Sequence, residues 1–206
     1  MTVDVQIRPL RPEHADIAAT IHAEGQEGTF LTSLGHDFLR LLYAELAVSP
    51  AAFAWEAVVD GQVVGVTGGT IDTATLFRSF VRRRWPALIW VVGRRLLTHP
   101  QLFGRLWETL RYPSQLHSKP GEGEALVLGV LVPYRHYGIG SLLMKTMLQG
   151  ARERGLRGLW YTVDATNERA LRFHQGHGAR YQREEMLYGR KMLLFYNPLH
   201  ADEGEC

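Results

Sequence analysis

The chain has 206 residues, a length that predicts one domain over residues 1–200 followed by a short polar tail. Hydrophobic residues make up 46% and charged residues 21%, a balance that supplies a buried core and excludes disordered, collagen-like and coiled-coil proteins. The single cysteine, Cys206, is the last residue, so neither a disulfide framework nor a cysteine-based metal site is expected. No signal core precedes the first strand and no apolar run reaches the roughly 18 residues of a membrane span, so a cytoplasmic chain is predicted.

The first part of the chain has the periodicity of alternating strands and amphipathic helices. The predicted elements are strands over residues 3–8, 54–59 and 63–70 and helices over residues 13–24 and 34–47. Pro12 suits the opening of the first helix. Asp60-Gly61 lies between two strands and is a strong hairpin signal.

Residues 72–120 differ from the rest in charge and in period. The net charge of the whole chain is only +2, yet residues 72–119 contain nine basic residues against two acidic ones, a surplus of +7. Apolar side chains recur at helical spacing, and Pro86 is expected to start a fresh helix. Pro100 is expected to begin another helix that includes Trp107, with a loop over residues 113–123.

The second half returns to strands alternating with helices. The predicted elements are strands over residues 125–132, 159–163, 179–184 and 187–196 and helices over residues 138–154 and 167–175. The whole order is therefore β α α β β, insertion, β α β α β β. This order predicts an α/β or α+β domain with the basic, helical segment inserted between the third and fourth strands.

A glycine motif follows the predicted buried strand over residues 125–132. Arg135-x-x-Gly138-x-Gly140 runs directly into a helix, and the two glycines remove the Cβ atoms that would keep a ligand from the backbone. The first amides of a helix have no internal partners and lie at its positive pole, so they can bind a pyrophosphate. The motif is neither a P-loop nor a dinucleotide fingerprint, and a tight turn is its structural alternative.

A second motif lies on the next helix, after another apolar strand. Asn167, Ala170, Phe173 and His174 recur at helical spacing, and Gly178 follows them. Together the two motifs resemble the GNAT superfamily, the N-acetyltransferases that use acetyl-coenzyme A, and the resemblance extends to residues 7–21. It implies a mixed, mostly antiparallel twisted sheet of six to seven strands, flanked by about four helices.

The resemblance also implies how coenzyme A is held, without a metal. Backbone groups of Val130 and Val132 would pair with the pantetheine arm, the amides of residues 136–141 would hold the pyrophosphate, and the Asn167 side chain would bond the pantetheine or the splayed strand. The residues placed at coenzyme A are Val130, Leu131, Val132, Arg135, His136, Tyr137, Gly138, Ile139, Gly140, Ser141, Asn167 and Phe173.

The sequence departs from the family pattern at three positions. Val132 stands where family members usually have proline, and Pro133 follows it. His174 replaces the usual tyrosine, and Ala179 replaces an aromatic residue after Gly178. The second departure reopens the identity of the general acid.

Transfer of an acetyl group to an amine needs a neutral nitrogen, and an alkyl ammonium has a pKa of about 10. A base is therefore expected, and Glu124 is the first candidate because it stands eleven residues before Arg135, similar to the glutamate of the histone-acetylating branch. His22, Glu24 and Glu27 are the alternatives.

An acid near the departing sulfur would help the reaction. His174 is the first candidate, since an imidazole can donate a proton near neutral pH. Tyr181 is the alternative, unless no acid is needed. An amide on the splayed strand would stabilise the oxyanion. Cys206 lies in a polar tail, which favours direct transfer over a covalent relay.

Three interpretations of the insertion compete. Its arginines could hold an anionic acceptor under a helical lid, residues 75–112 could lie on an anionic membrane surface, or the segment could pack on the domain or on a second subunit of a homodimer. Nucleic acid is not expected, because the basic residues alternate with bulky aliphatic ones.

The sequence thus predicts an N-acetyltransferase that moves acetyl from acetyl-coenzyme A directly to a primary amine. The acceptor stays open among small metabolites, amino sugars, antibiotic amines and protein N-termini. The alternative is a non-catalytic sensor or assembly module that binds acyl-coenzyme A. The missing tyrosine favours that alternative, and Glu124 speaks against it.

Overall fold

Seven strands form one sheet in a computed structural model that describes residues 4–104 and 119–199. The strands are β1 Gln6–Pro9, β2 Ala52–Val59, β3 Gln62–Thr70, β4 Glu122–Val130, β5 Gly158–Asp164, β6 Arg180–Leu187 and β7 Arg190–Pro198. The helices referred to below are α1 Ala15–Gly25, α2 Phe30–Ser33, α3 His36–Leu46, α4 Thr73–Thr98, α5 Ile139–Glu153 and α6 Glu168–Gln175. Turns of 3-10 helix lie at Pro12–His14 and Val132–Tyr134.

The sheet has the order β1-β2-β3-β4-β5-β7-β6. Its neighbours pair antiparallel except for β4 and β5, which are parallel. A mixed, mostly antiparallel sheet of seven strands with a helix between β3 and β4 confirms the predicted fold class. The short helix α2 was not predicted.

Helices cover both faces of the sheet. On one face, α1 and α3 bury residues such as Ile21 and Leu39 against Val66 of β3. On the other face, α5 packs Met144 and Met147 against β2 and β5. The chain therefore has three layers, as a sheet that is apolar on both faces requires.

Two turns with positive φ close the hairpins of the sheet. Asp60 and Gly61 have φ values of 50° and 78°, which confirms the predicted hairpin between β2 and β3. Tyr188 and Gly189 have φ values of 51° and 76° and join β6 to β7. The sequence prediction started the last strand at residue 187 and missed this turn, because tyrosine rarely adopts a positive φ.

The helix α4 continues through Pro86, and the prediction of a fresh helix at that residue is wrong. Proline has no N–H, so the helix loses the bond that Arg82 C=O would accept. Contacts on both sides of Pro86 offset this loss: Phe80 stacks edge-on with Phe38 of α3 at 5.8 Å, and Arg95 Nε donates to Ser33 O at 3.0 Å.

Parts of the predicted insertion and the tail fall on residues outside those described. These residues include Trp107 of the predicted helix, most of the loop over residues 113–123, and the tail over residues 201–206. Within residues 4–104 and 119–199, no helix combines the length and apolar character needed to cross a bilayer.

Candidate active site

A gap opens in the sheet between β4 and β5. The two strands pair only over Glu122–Glu124 with Gly158–Trp160, although both continue for four to six residues beyond. Glu124 and Trp160 form the last pair before the strands separate. The gap leaves the β5-facing edge of β4 open to a ligand that can satisfy its backbone groups.

The register of β4 fixes which backbone groups face this gap. Leu131 N–H donates to Val64 O at 2.9 Å, so in the alternating antiparallel ladder the groups of Val130 point away from β3 and into the gap. Val130 C=O accepts from Arg135 Nε at 2.8 Å, which holds the following loop against the end of the strand. The Val130 N–H thus has the orientation expected for pairing with an extended arm.

The next two residues differ in what they can offer. Leu131 C=O accepts from Tyr134 N–H at 2.9 Å, so both main-chain groups of Leu131 are already bonded. Val132 begins the 3-10 turn and is 57% exposed, and its C=O accepts from Arg135 N–H at 3.3 Å. Of the three strand-end residues named from the sequence, Val130 and Val132 are the ones whose N–H groups are left for main-chain pairing.

The glycine loop presents a row of unbonded amides. Gly138 has φ 76° and is the N-cap of α5, where it supplies no side-chain cap. Within the described part of the chain, none of the six amides from His136 to Ser141 donates a hydrogen bond. Six unpaired donors at the positive end of a fifteen-residue helix have the charge and hydrogen-bonding capacity that an anion requires.

The loop is in contact with α6. A Cβ atom on Gly140 would lie 3.6 Å from the ring of Phe173, so α5 and α6 approach closely at this point. His136 and Tyr137 are exposed, whereas Ile139 is buried in the core. The structure therefore places Phe173 beside Gly140 of the loop.

Asn167 stands at the opposite end of α6 and caps it. Its side-chain oxygen accepts a hydrogen bond from Ala170 N–H at 3.0 Å. Loss of such a cap typically costs about 1 kcal/mol of stability. This contact is a structural reason for asparagine at this position, independent of any ligand.

Glu124 lies on the α1 and α3 face of the sheet. A Cβ on the preceding Gly123 would meet Leu156 and Leu159. The following Ala125 packs against the same group of buried side chains, which lies on the α5 face of the sheet. Since side chains alternate along a strand, Glu124 points to the opposite face. It therefore stands at the closed end of the gap, half-buried, on the face opposite to α5 and α6.

His174 lies on the α5 and α6 face of the sheet, on the side of α6 that packs against β5. Its ring is 4.6 Å from that of Tyr161 on β5, and its Nδ1 is buried without a partner in the described residues. Burial, followed by the nearby His177, lowers the pKa of His174 to about 4. The imidazole is therefore neutral at pH 7. His174 and Glu124 lie on opposite faces of the sheet.

The alternative base and acid candidates have different surroundings. His22 is 2% exposed, shares a 2.9 Å hydrogen bond with Tyr43 Oη, and has a pKa lowered to about 4 by burial. Glu24 and Glu27 are exposed near the end of α1. Tyr181 is exposed on the edge strand β6.

An aromatic contact joins α2 to the β6–β7 turn on the α1 and α3 face of the sheet. Phe30 of α2 stacks on Tyr188 of the β6–β7 turn with ring centroids 4.7 Å apart. Beside it, Arg190 and Asp164 form an ion pair at 2.5 Å. This contact was not predicted from the sequence, since its two segments are about 160 residues apart in the chain and no local signal joins them.

The two buried histidines make stability depend on pH. Each folded-state pKa of about 4 lies below the ordinary value of 6.5, so the unfolded chain binds more protons between these values. Stability is expected to fall as pH drops from 6.5 towards 4, by up to about 1.4 kcal/mol per pH unit for each imidazole. Urea unfolding across this range measures the slope.

NMR titration of the imidazole protons is the direct check of this prediction. His22 and His174 should stay neutral at pH 5.5. Titration of either buried ring near pH 6.5 would contradict the burial described above.

The sequence from residue 21 to residue 179 matches the family described as Acetyltransferase (GNAT) family. This match covers most of the chain and includes the loop, the gap and α6. The chain belongs to the GNAT acetyltransferase family. Comparison with curated proteins gave no significant match.

Solved structures of the same fold include the three that follow. The ribosomal-protein-S18-alanine N-acetyltransferase from Escherichia coli has 10% identity, a TM-score of 0.63, and coverage of 98% of this chain and 99% of that one. Ard1 from Thermoplasma volcanium has 17% identity, a TM-score of 0.63, and coverage of 97% and 100%. An N-acetyltransferase from Staphylococcus aureus Mu50 has 16% identity, a TM-score of 0.62, and coverage of 96% and 99%. At these identities the likeness concerns the fold.

Proposed function

We propose that this chain binds acetyl-coenzyme A and transfers its acetyl group directly to a primary amine of a small molecule or peptide. The observation that carries the proposal is the row of six unbonded amides from His136 to Ser141 beside an unpaired strand edge. A pyrophosphate fits the first feature and an amide-bearing pantetheine arm fits the second.

The residues of the loop fit coenzyme A in several ways. Gly138 has open space around its missing Cβ, and Gly140 lies close to Phe173 with no side chain between them. Val130 and Val132 would pair with the arm, Arg135 would hold the loop through Val130 C=O, and Asn167 would contribute its amide nitrogen while its oxygen caps α6. Leu131, between the two valines, would contact coenzyme A through its side chain.

The thioester of acetyl-coenzyme A supplies an activated acetyl group, whose C–S bond breaks as the N–C bond to the amine forms. Glu124 would accept the proton of the attacking amine, directly or through a water molecule. Its place at the closed end of the gap, on the α1 and α3 face, lets an amine approach from the side opposite to the loop. Another amide on the splayed edge of β4 would stabilise negative charge on the acetyl oxygen.

His174 would act on the sulfur side of the gap. Because the pKa of His174 is lowered to about 4, its ring at pH 7 is a neutral hydrogen-bond donor rather than an imidazolium acid. A hydrogen bond to the departing thiolate stabilises charge without full proton transfer. We therefore expect His174→Phe to lower kcat less than Glu124→Gln does.

The proposal is tested by incubating the full chain with acetyl-coenzyme A and amines of different classes. A polyamine, an amino sugar, free amino acids and a peptide with a free N-terminus form a suitable panel. We expect thiol release and an N-acetylated product with at least one class. Tight acetyl-coenzyme A binding with no product from any class would instead favour a non-catalytic acyl-coenzyme A binder, which the neutral His174 also allows.

A further inference from the structure

The outer face of α4 carries large apolar side chains in solvent. Trp85, Ile89, Trp90 and Leu97 are 58%, 65%, 60% and 87% exposed. The inner face of the same helix packs on α3 through Phe80 and neighbouring residues. The helix is therefore apolar on two sides, and packing among residues 4–104 and 119–199 accounts for only one of them.

The charges of α4 are all positive. Its 26 residues include six arginines and no Lys, Asp or Glu. Three of them have partners: Arg83, which is itself exposed, and Arg84 lie 3.9 and 4.0 Å from the buried Glu45, and Arg95 donates to Ser33 O. The remaining arginines, Arg78, Arg82 and Arg94, are exposed on or beside the outer face.

Tryptophan and arginine lie together on this surface. Arg94 stands over the ring of Trp90 at 5.5 Å from its centroid. Trp85 and Leu97 are twelve residues apart, so the apolar side chains extend over about 18 Å along the helix. Tryptophan rings suit the boundary between headgroups and acyl chains, and arginine can place its stem there while its charge meets a lipid phosphate.

The charge pattern decides between a membrane and a second copy of the chain. In a symmetric dimer through this face, the arginines of one copy would meet those of the other, and like charges would oppose contact. An anionic lipid surface attracts every one of them. We propose that the outer face of α4 binds flat on an anionic lipid bilayer, with Trp85, Ile89, Trp90 and Leu97 inserted at the interface.

The test is co-sedimentation of the full chain with vesicles. Phosphatidylcholine vesicles are compared with vesicles of phosphatidylcholine and phosphatidylglycerol at low ionic strength. We expect binding to the anionic vesicles, loss of that binding at high salt, and weak binding to the neutral ones. If the chain stays in the supernatant with anionic vesicles, the proposal is wrong.

Charge-matched variants locate the binding surface. Arg78→Glu/Arg82→Glu should weaken the partition coefficient on the order of 30-fold or more, since each arginine near the surface contributes about 1 kcal/mol. Lys145→Glu/Arg169→Glu changes the net charge equally at exposed positions on α5 and α6 and should have a smaller effect. Equal losses in the two variants would show general electrostatic attraction and overturn the assignment to α4.

The apolar part of the surface is tested by Trp85→Ala/Trp90→Ala, with Met186→Ala, which is 66% exposed on β6, as the control. Thermal melting establishes that each variant is folded. Only the tryptophan variant should lose vesicle binding. The wild-type chain could instead self-associate in sedimentation velocity, lose that association in the tryptophan variant, and show no vesicle binding. This result would make the face a contact between copies and refute the membrane proposal.

Discussion

The Gly138→Trp variant is expected to stay folded and to lose at least about 100-fold in acetyl-coenzyme A affinity. A side chain at this position would occupy the space in front of the six unbonded amides, and each hydrogen bond to a charged group contributes about 1.5–3 kcal/mol. The φ of 76° at Gly138 adds a stability cost of about 1–2 kcal/mol for any residue with a Cβ. Calorimetric titration measures the affinity, and thermal melting measures the stability.

Gly155→Trp is the matched control. Gly155 lies just beyond the other end of α5, has φ 73°, and like Gly138 has open space where its Cβ would be. The two substitutions therefore carry the same backbone strain and the same added side chain. Only the change at Gly138 should abolish binding, and equal affinities of the two variants would contradict the assignment of the loop.

The Glu124→Gln variant is expected to bind acetyl-coenzyme A normally and to lose about 10²–10⁴-fold in kcat at pH 7, the usual contribution of a general base. The variant should recover as pH rises. An amine with a pKa of about 10 becomes neutral without a base at high pH. The kcat of the variant should therefore increase about tenfold per pH unit below pH 10. The pH dependence of kcat in both proteins is the measurement.

Glu122→Gln is the control for this prediction. Glu122 lies two residues earlier on β4, and its side chain accepts hydrogen bonds from Trp160 Nε1 at 2.6 Å and from Lys119 N–H at 3.0 Å. These contacts give it a structural role below the gap. We expect kcat near the wild-type value for Glu122→Gln, and a loss equal to that of Glu124→Gln would remove the special role of Glu124.

Features that depend on a short stretch of chain were predictable from the sequence. The hairpin at Asp60-Gly61 and the entry into α5 at Gly138 both require positive φ, which glycine provides at low cost. The strands on either side have continuous or alternating apolar residues, so their order predicted the fold class. The position of the glycine loop at the start of a helix was therefore predictable from the sequence.

Features that depend on distant contacts were not predictable. The gap follows from how few residues of β4 and β5 pair, and those strands lie more than 25 residues apart in sequence. The pKa of His174 depends on burial beneath α6 against Tyr161, whereas an isolated histidine would titrate near pH 6.5. The continuation of α4 through Pro86 depends on contacts with α2 and α3.

Binding of acetyl-coenzyme A, compared with S-acetylpantetheine, tests the central claim most directly. The two ligands share the thioester and the pantetheine arm, but only the first has the pyrophosphate that the amides from His136 to Ser141 would hold. The structure predicts tight binding of acetyl-coenzyme A and much weaker binding of S-acetylpantetheine in calorimetric titration of the full chain. Equal affinities, or no binding of acetyl-coenzyme A, would mean that the glycine loop is only a turn and would contradict the proposed function.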